Sequence, residues 1–123
     1  MRYTYNKLVR DKIPENIDKK EGRKSKYRIL NDKEYLEELN KKVIEEANEF
    51  VEYNSAEELG DLFEVLKTIM DIKGYSVQKI EEVMKYKRAE KGAFKNKIFL
   101  EYVDEEKKNR AEERELNKDF RNK

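Results

Sequence analysis

The chemistry this sequence offers is carried by acids at two spacings: Glu45, Glu46 and Glu49 in "EEANE", then Glu58 and Asp61 in "ELGD". On a helix, carboxylates three residues apart lie one turn apart on the same side, where two of them can share a cation. The chain of 123 residues has no cysteine and no histidine. That excludes thiol nucleophiles, disulfides, Ser-His-Asp triads and Cys/His zinc sites together. Carboxylates, lysines, arginines and tyrosines must do whatever chemistry is done.

Spacing alone is a weak guide here, because Glu-Glu pairs recur at 37/38, 45/46, 57/58, 81/82, 105/106 and 112/113. The helical face an acid occupies separates the candidates. With residues about 100° apart, Glu34, Glu37, Glu38 and Glu52 fall opposite Leu36, Leu39, Val43 and Ala47 and read as solvent charges. Glu46 falls at the edge of the apolar arc, about 20° from Leu39, with Glu49 roughly 60° further round. Glu58 falls inside the apolar arc of the next helix, and Asp61 just outside it. No lysine or arginine in the body of either helix is expected to share these positions. Acids at the margin of a buried surface repel one another and lose hydration unless a cation joins them. Hard divalent cations suit such oxygen donors, and Mg²⁺ also leaves room for water and phosphate oxygens. The alternative assigns Glu58 to a helix cap and Glu46 to an edge-of-core charge reaching solvent; pattern by itself does not choose between them.

The elements that must position these acids can be read from caps and period. Pro14 suits the first turn of a short helix carrying Ile13 and Ile17, with Gly22 ending that turn. "KYRIL" reads as a short extended piece. Asn31 with Glu34 predicts a capping box and a helix to about Tyr53; Ser55 with Glu58 predicts a second box and a helix closed by Gly74. The short link at residues 53–55 predicts an antiparallel hairpin. Ser76 opens a further helix running to Gly92. "NKIFLEYV" alternates and predicts a short strand, and "DEEKKNRAEERELNKDFRNK" reads as a charged tail, helical or disordered. The expectation is an all-α bundle built around the hairpin, with a domain over 1–103 and a tail over 104–123.

Composition agrees. Hydrophobic residues make up 37% and charged residues 46%, which suits one soluble helical domain. No apolar run approaches the roughly 20 residues of a membrane helix, and the N-terminus lacks the apolar core of a signal peptide, so a cytoplasmic protein without a membrane partner is expected. A net charge of +1 disfavours a protein dedicated to coating nucleic acid. Cations nevertheless cluster in two places. Lys87, Arg88 and Lys91 continue the face of Val77, Ile80 and Met84, so that a core-facing stripe turns cationic; Lys7, Arg10 and Lys12 lie near the N-terminus. Snorkelling and the helix macrodipole account for the first group equally well. Acids for metal and bases for phosphate are the parts required to hydrolyse a nucleoside triphosphate.

Glu45-Glu46-x-x-Glu49 followed by Glu58-x-x-Asp61 resembles the signature of the all-α nucleoside triphosphate pyrophosphohydrolases, the MazG-like superfamily. "YNKLVRDKIPE", "EELGDLFEVL" and "KRAEKGAF" resemble its phosphoribosyl-ATP pyrophosphohydrolase-like branch, over about residues 3 to 103. Two departures stand out: the gap between the acid groups is shorter than in many relatives, and Ala93 stands where the branch usually has a second glycine. The resemblance implies hydrolysis of an NTP or dNTP to NMP and pyrophosphate, as in house-cleaning of non-canonical nucleotides. It implies Glu46, Glu49, Glu58 and Asp61 as ligands of Mg²⁺, for which Mn²⁺ can substitute. Glu45 would support those ligands or orient the attacking water, with Glu46 beside it in the catalytic pair. Lys7, Arg10, Lys87, Arg88 and Lys91 would hold phosphates, and the chain would assemble as a homodimer or homotetramer. Tyr5, Tyr53 and Phe94 are candidates for stacking on a base, or for core packing. The competing function is a catalytically inactive helical module that binds a nucleotide, RNA or protein partner.

Overall fold

The computed structural model describes residues 1–106 and is all-α: α1 (Ile13–Asp18), α2 (Asp32–Tyr53), α3 (Ala56–Lys73) and α4 (Val77–Lys91). The chain divides into two compact units, Met1–Val77 and Gln78–Lys123.

Pro14 sits in the first turn of α1, where its missing N–H costs nothing. The helix stops at Asp18, four residues before Gly22, which takes a left-handed φ of +77° in the turn that follows. That turn is held by Asp18, whose Oδ1 accepts from the Ser25 backbone N–H at 2.7 Å and from its hydroxyl at 2.9 Å. These bonds hold the Asp18 carboxyl below its ordinary value.

α2 begins as its sequence predicts. Asn31 Oδ1 accepts the Glu34 N–H at 2.8 Å. The Glu34 carboxylate is kept ionised by the Arg28 guanidinium, at 3.0 Å, and then by the Asn31 backbone. Asn54, left-handed at φ +52°, ends α2, and α3 starts two residues later, so the link is as short as expected and α2 packs along α3. Ser55 takes the N-cap position of α3, but its side chain makes no cap hydrogen bond. The second capping box is therefore absent, and Glu58 is not engaged by it. Gly74, at φ +73°, ends α3 while the Tyr75 N–H reaches back to the Met70 carbonyl at 2.9 Å.

Within the first unit Leu39, 3% exposed, is the one buried hydrophobic residue among the described residues. Ile44, Val51, Phe63 and Ile72 all remain largely in water on the hairpin. In the second unit, α4 runs to Lys91 and Gly92 follows with φ +86°. The strand predicted for "NKIFLEYV" is not formed: no strand occurs among the described residues. A strand needs a ladder partner, and here Lys97, at φ +60°, also interrupts the extended run. Ile98, Phe99 and Tyr102 stay exposed. Residues 107–123, most of the predicted tail, lie outside the described residues. No described helix is long and apolar enough to cross a membrane.

Candidate active site

The carboxylates singled out by helical face lie on the two members of the hairpin. Glu46 is buried, 9% exposed, while Glu45, Glu49, Glu58 and Asp61 are half-buried. The control acids divide. Glu37 and Glu52 are exposed, but Glu34 and Glu38 are half-buried, their carboxylates taken by Arg28 at 3.0 Å and Lys41 at 2.9 Å.

Burial raises the Glu46 carboxyl above its ordinary value; the charges of Glu49, Asp61 and Glu45 push the same way, and Lys42 opposes them. Glu46 on α2 thus feels Asp61 on α3 across the hairpin. Its Oε2 is buried without any hydrogen-bond partner, and so is Oε2 of Glu58. An unpartnered buried polar atom costs about 1–3 kcal/mol. Each helix of the pair therefore presents one carboxylate oxygen stripped of water and given no donor in return.

Three cations pair with Glu45, Glu46 and Asp61. Lys7 Nζ donates to Glu45 Oε1 at 2.9 Å, and Arg10 Nη2 donates to Asp61 Oδ1 at 2.6 Å. The third is Lys42, whose ammonium lies 3.1 Å from Glu45 Oε2 and 3.6 Å from Glu46 Oε1. Lys42 corrects the expectation that no cation from the body of these helices would share the acids' positions. Its signal was present in the spacing, for Lys42 stands three residues before Glu45 and four before Glu46. Helical side chains lean towards the N-terminus, so the two glutamates fold back onto the turn that carries it. The side chain of Lys42 is only 16% exposed, which makes it the most deeply set of the three cations.

Glu45 and Glu46 are consequently tuned in opposite directions. The hydrogen bond from Lys7, then that from Lys42, holds Glu45 below the ordinary carboxylate value, and the Glu45 bond in turn raises Lys7. A carboxylate so held orients its neighbours well and accepts protons poorly, whereas Glu46 has the more basic carboxylate.

No group of three or more acids among the described residues is gathered closely enough to hold a metal ion as the side chains stand. The donor chemistry still fits an oxygen-seeking divalent cation. Two water-stripped, donor-free carboxylate oxygens come from facing helices, and Glu49 and Asp61 stand one turn beyond them on the same helices. Of the predicted phosphate ligands, Lys7 and Arg10 meet carboxylates, as described. Lys87, Arg88 and Lys91 lie exposed in the last turns of α4, within the second unit. Tyr5, Tyr53 and Phe94 are exposed as well, so none of them is part of a core.

Comparison with protein families, with curated proteins and with solved structures found no match to this chain.

Proposed function

We propose that this chain is a Mg²⁺-dependent nucleoside triphosphate pyrophosphohydrolase, converting an NTP or dNTP to NMP and pyrophosphate in the clearance of non-canonical nucleotides. The observation that carries the reading is the pair of buried, donor-free oxygens, Glu46 Oε2 on α2 and Glu58 Oε2 on α3. Ser55 makes no side-chain cap bond that would engage Glu58, and Glu46 meets Lys42 only at 3.6 Å, through its other oxygen. The sequence resemblance to the MazG-like superfamily supplies the reaction class.

Glu46, Glu49, Glu58 and Asp61 would hold the cation. When bound, it supplies positive charge for the phosphate oxygens and acidifies water, so that no histidine is needed. Glu45 would orient the water that attacks the α-phosphorus, as the resemblance implies. Glu45, kept anionic by Lys7 and Lys42, holds the Lys42 ammonium beside Glu46 and so fixes the orientation of that carboxylate. The leaving pyrophosphate carries the developing charge and needs cations; the sequence resemblance assigns that role to Lys87, Arg88 and Lys91. The apolar side chains left in water on the hairpin support assembly with further copies of the chain, as a dimer or tetramer.

Phosphorus NMR of the products from a panel of canonical and modified nucleotides tests the reaction. Pyrophosphate with a monophosphate, released only while Mg²⁺ is present, is expected. Orthophosphate with a diphosphate, or turnover indifferent to chelator, would sink the proposal. A nucleotide- or protein-binding module without activity is favoured by one observation, the neutralisation of Glu45 and Asp61 by Lys7 and Arg10; binding without any turnover across the panel would select it.

Lys87→Ala addresses the phosphate cations separately. Because Lys87 is exposed and distant in kind from any core role, the variant should melt within about 0.5 kcal/mol of the parent while KM rises about three- to tenfold. A sharp loss of stability with unchanged kinetics would assign the side chain to packing.

A further inference from the structure

Lys7 and Arg10 are three residues apart on one non-helical segment, yet they close on different helices, Lys7 on Glu45 of α2 and Arg10 on Asp61 of α3. Three residues of extended chain reach about 10 Å at most, comparable with the roughly 8–10 Å between the axes of two packed helices. Through these two side chains the segment ties one member of the hairpin to the other. It does so over the acids: beyond its bond to Glu45, Lys7 also feels the charges of Glu49 and Glu46.

The depths of the partners differ. The side chains of Lys7 and Arg10 are 44% and 59% exposed, so they hold their carboxylates from the solvent side, whereas the donor-free oxygens of Glu46 and Glu58 are buried. Exposed ion pairs of this kind are worth about 1 kcal/mol or less each, too little to keep either cation from a better partner. A phosphate chain is a better partner, since it offers an arginine two oxygens at once and a lysine a dense anionic charge. A divalent cation drawn to the carboxylates also repels both side chains at the moment it arrives.

We propose that residues 1–12 form an exchangeable strap, in which Lys7 and Arg10 hold Glu45 and Asp61 before loading and pass to the phosphate oxygens of the substrate once a divalent cation has bound at Asp61 and beside Glu45. The strap rests on the pyrophosphohydrolase reading above and adds to it an ordered change of partner. Lys7 and Arg10 compete with the metal when it binds alone and assist the phosphate chain when it follows. Their removal must therefore shift the two affinities in opposite directions.

Calorimetry on the full chain tests this, with Mg²⁺ alone and then with inorganic tripolyphosphate in saturating Mg²⁺, a probe that needs no knowledge of the base. Lys7→Ala and Arg10→Ala should each tighten Mg²⁺ about two- to fivefold and weaken tripolyphosphate about three- to tenfold; Lys7→Arg should restore both. Tryptic cleavage after Lys7, followed by mass spectrometry, should be faster with Mg²⁺ alone than without ligand, and slower again when tripolyphosphate is added. Both side chains are exposed, so the variants are expected to keep the parent's helical circular dichroism. If Mg²⁺ binds the parent but tripolyphosphate binds the alanine variants as tightly as the parent, or does not bind the parent, the strap is a fixed tie and the exchange is overturned while the metal site stands. If the parent binds no Mg²⁺, the enzymatic reading falls and the exchange falls with it.

Discussion

Glu46→Gln is expected to stabilise the metal-free protein by roughly 0.5–2 kcal/mol at neutral pH, the size of gain seen when functional strain is relieved, and to lower pyrophosphate release by at least about a hundredfold. The two effects share one cause. A carboxylate 9% exposed, with one oxygen lacking any donor and the charges of Glu49, Asp61 and Glu45 close by, is held in the fold at a cost. Glutamine keeps the shape and removes the charge; it loses only the long 3.6 Å contact to Lys42. The pH dependence follows from the direction of the shift. A carboxyl raised in the fold binds its proton more tightly there than in the unfolded chain, so its stabilising contribution is complete below the unfolded value and is lost as pH rises through the higher folded value. Glutamine is neutral throughout, so the variant should gain over the parent above that window and show little gain below it. Thermal melts from acid to neutral pH would show the crossover. Glu38→Gln serves as the control, since Glu38 is tied only to Lys41 and should leave turnover within about twofold. A Glu46→Gln protein less stable than its parent at every pH would mean that the buried carboxylate is a structural asset. Asp61→Asn should show no comparable gain, because it gives up the 2.6 Å pair with Arg10.

Mg²⁺ itself should stabilise the unmutated protein by about 2.7 kcal/mol at a hundred times its dissociation constant, as for any ligand that binds only the folded state. The gain should fall to a small fraction in Glu46→Gln and in Glu58→Gln, which remove the two donor-free oxygens, and should persist in Glu38→Gln. Sodium chloride at matched ionic strength distinguishes binding from screening of the exposed pairs. Equal stabilisation by the two salts, or equal response of all three variants, would remove the metal from the account. The Glu58 arm is the more telling. Glutamine serves a capping box as glutamate does, so a lost magnesium response in Glu58→Gln is not the loss of a cap, and Ser55 makes no side-chain cap bond in any case.

The helices, the short link between α2 and α3 and the depth of Glu46 were legible in the sequence because local rules fix them. Asn31 and Gly74 are caps whose geometry depends on neighbours in sequence, and an angle of about 20° between Glu46 and Leu39 follows from helical pitch alone. Features that depend on residues distant in the chain were not legible. The pairing of Lys7 with Glu45 and of Arg10 with Asp61 spans 38 and 51 residues. The strand failed for a related reason: alternation in "NKIFLEYV" describes what a strand would look like and says nothing of whether a partner edge exists. Lys42, by contrast, was legible and missed: at about 100° per residue it falls between Glu46 and Glu49, so its place beside the acids follows from helical pitch.

The N-terminal ties also set an order of assembly. α2 and α3 are joined through Asn54 and Ser55, so their contacts close the shortest loop available, whereas the Lys7 and Arg10 pairs close loops of 38 and 51 residues. Loop closure costs more entropy as the loop lengthens, and local contacts form earlier. The hairpin is therefore expected to be complete before the N-terminal segment docks, and Arg10→Ala should leave the refolding rate unchanged while speeding unfolding; a slowed refolding would place the segment in the nucleus. During its own folding the chain thus passes through a stage in which the acids are already assembled around Lys42 and not yet tied to Lys7 and Arg10, so that a nascent molecule meets the cations of the surrounding solution before those of its own N-terminal segment.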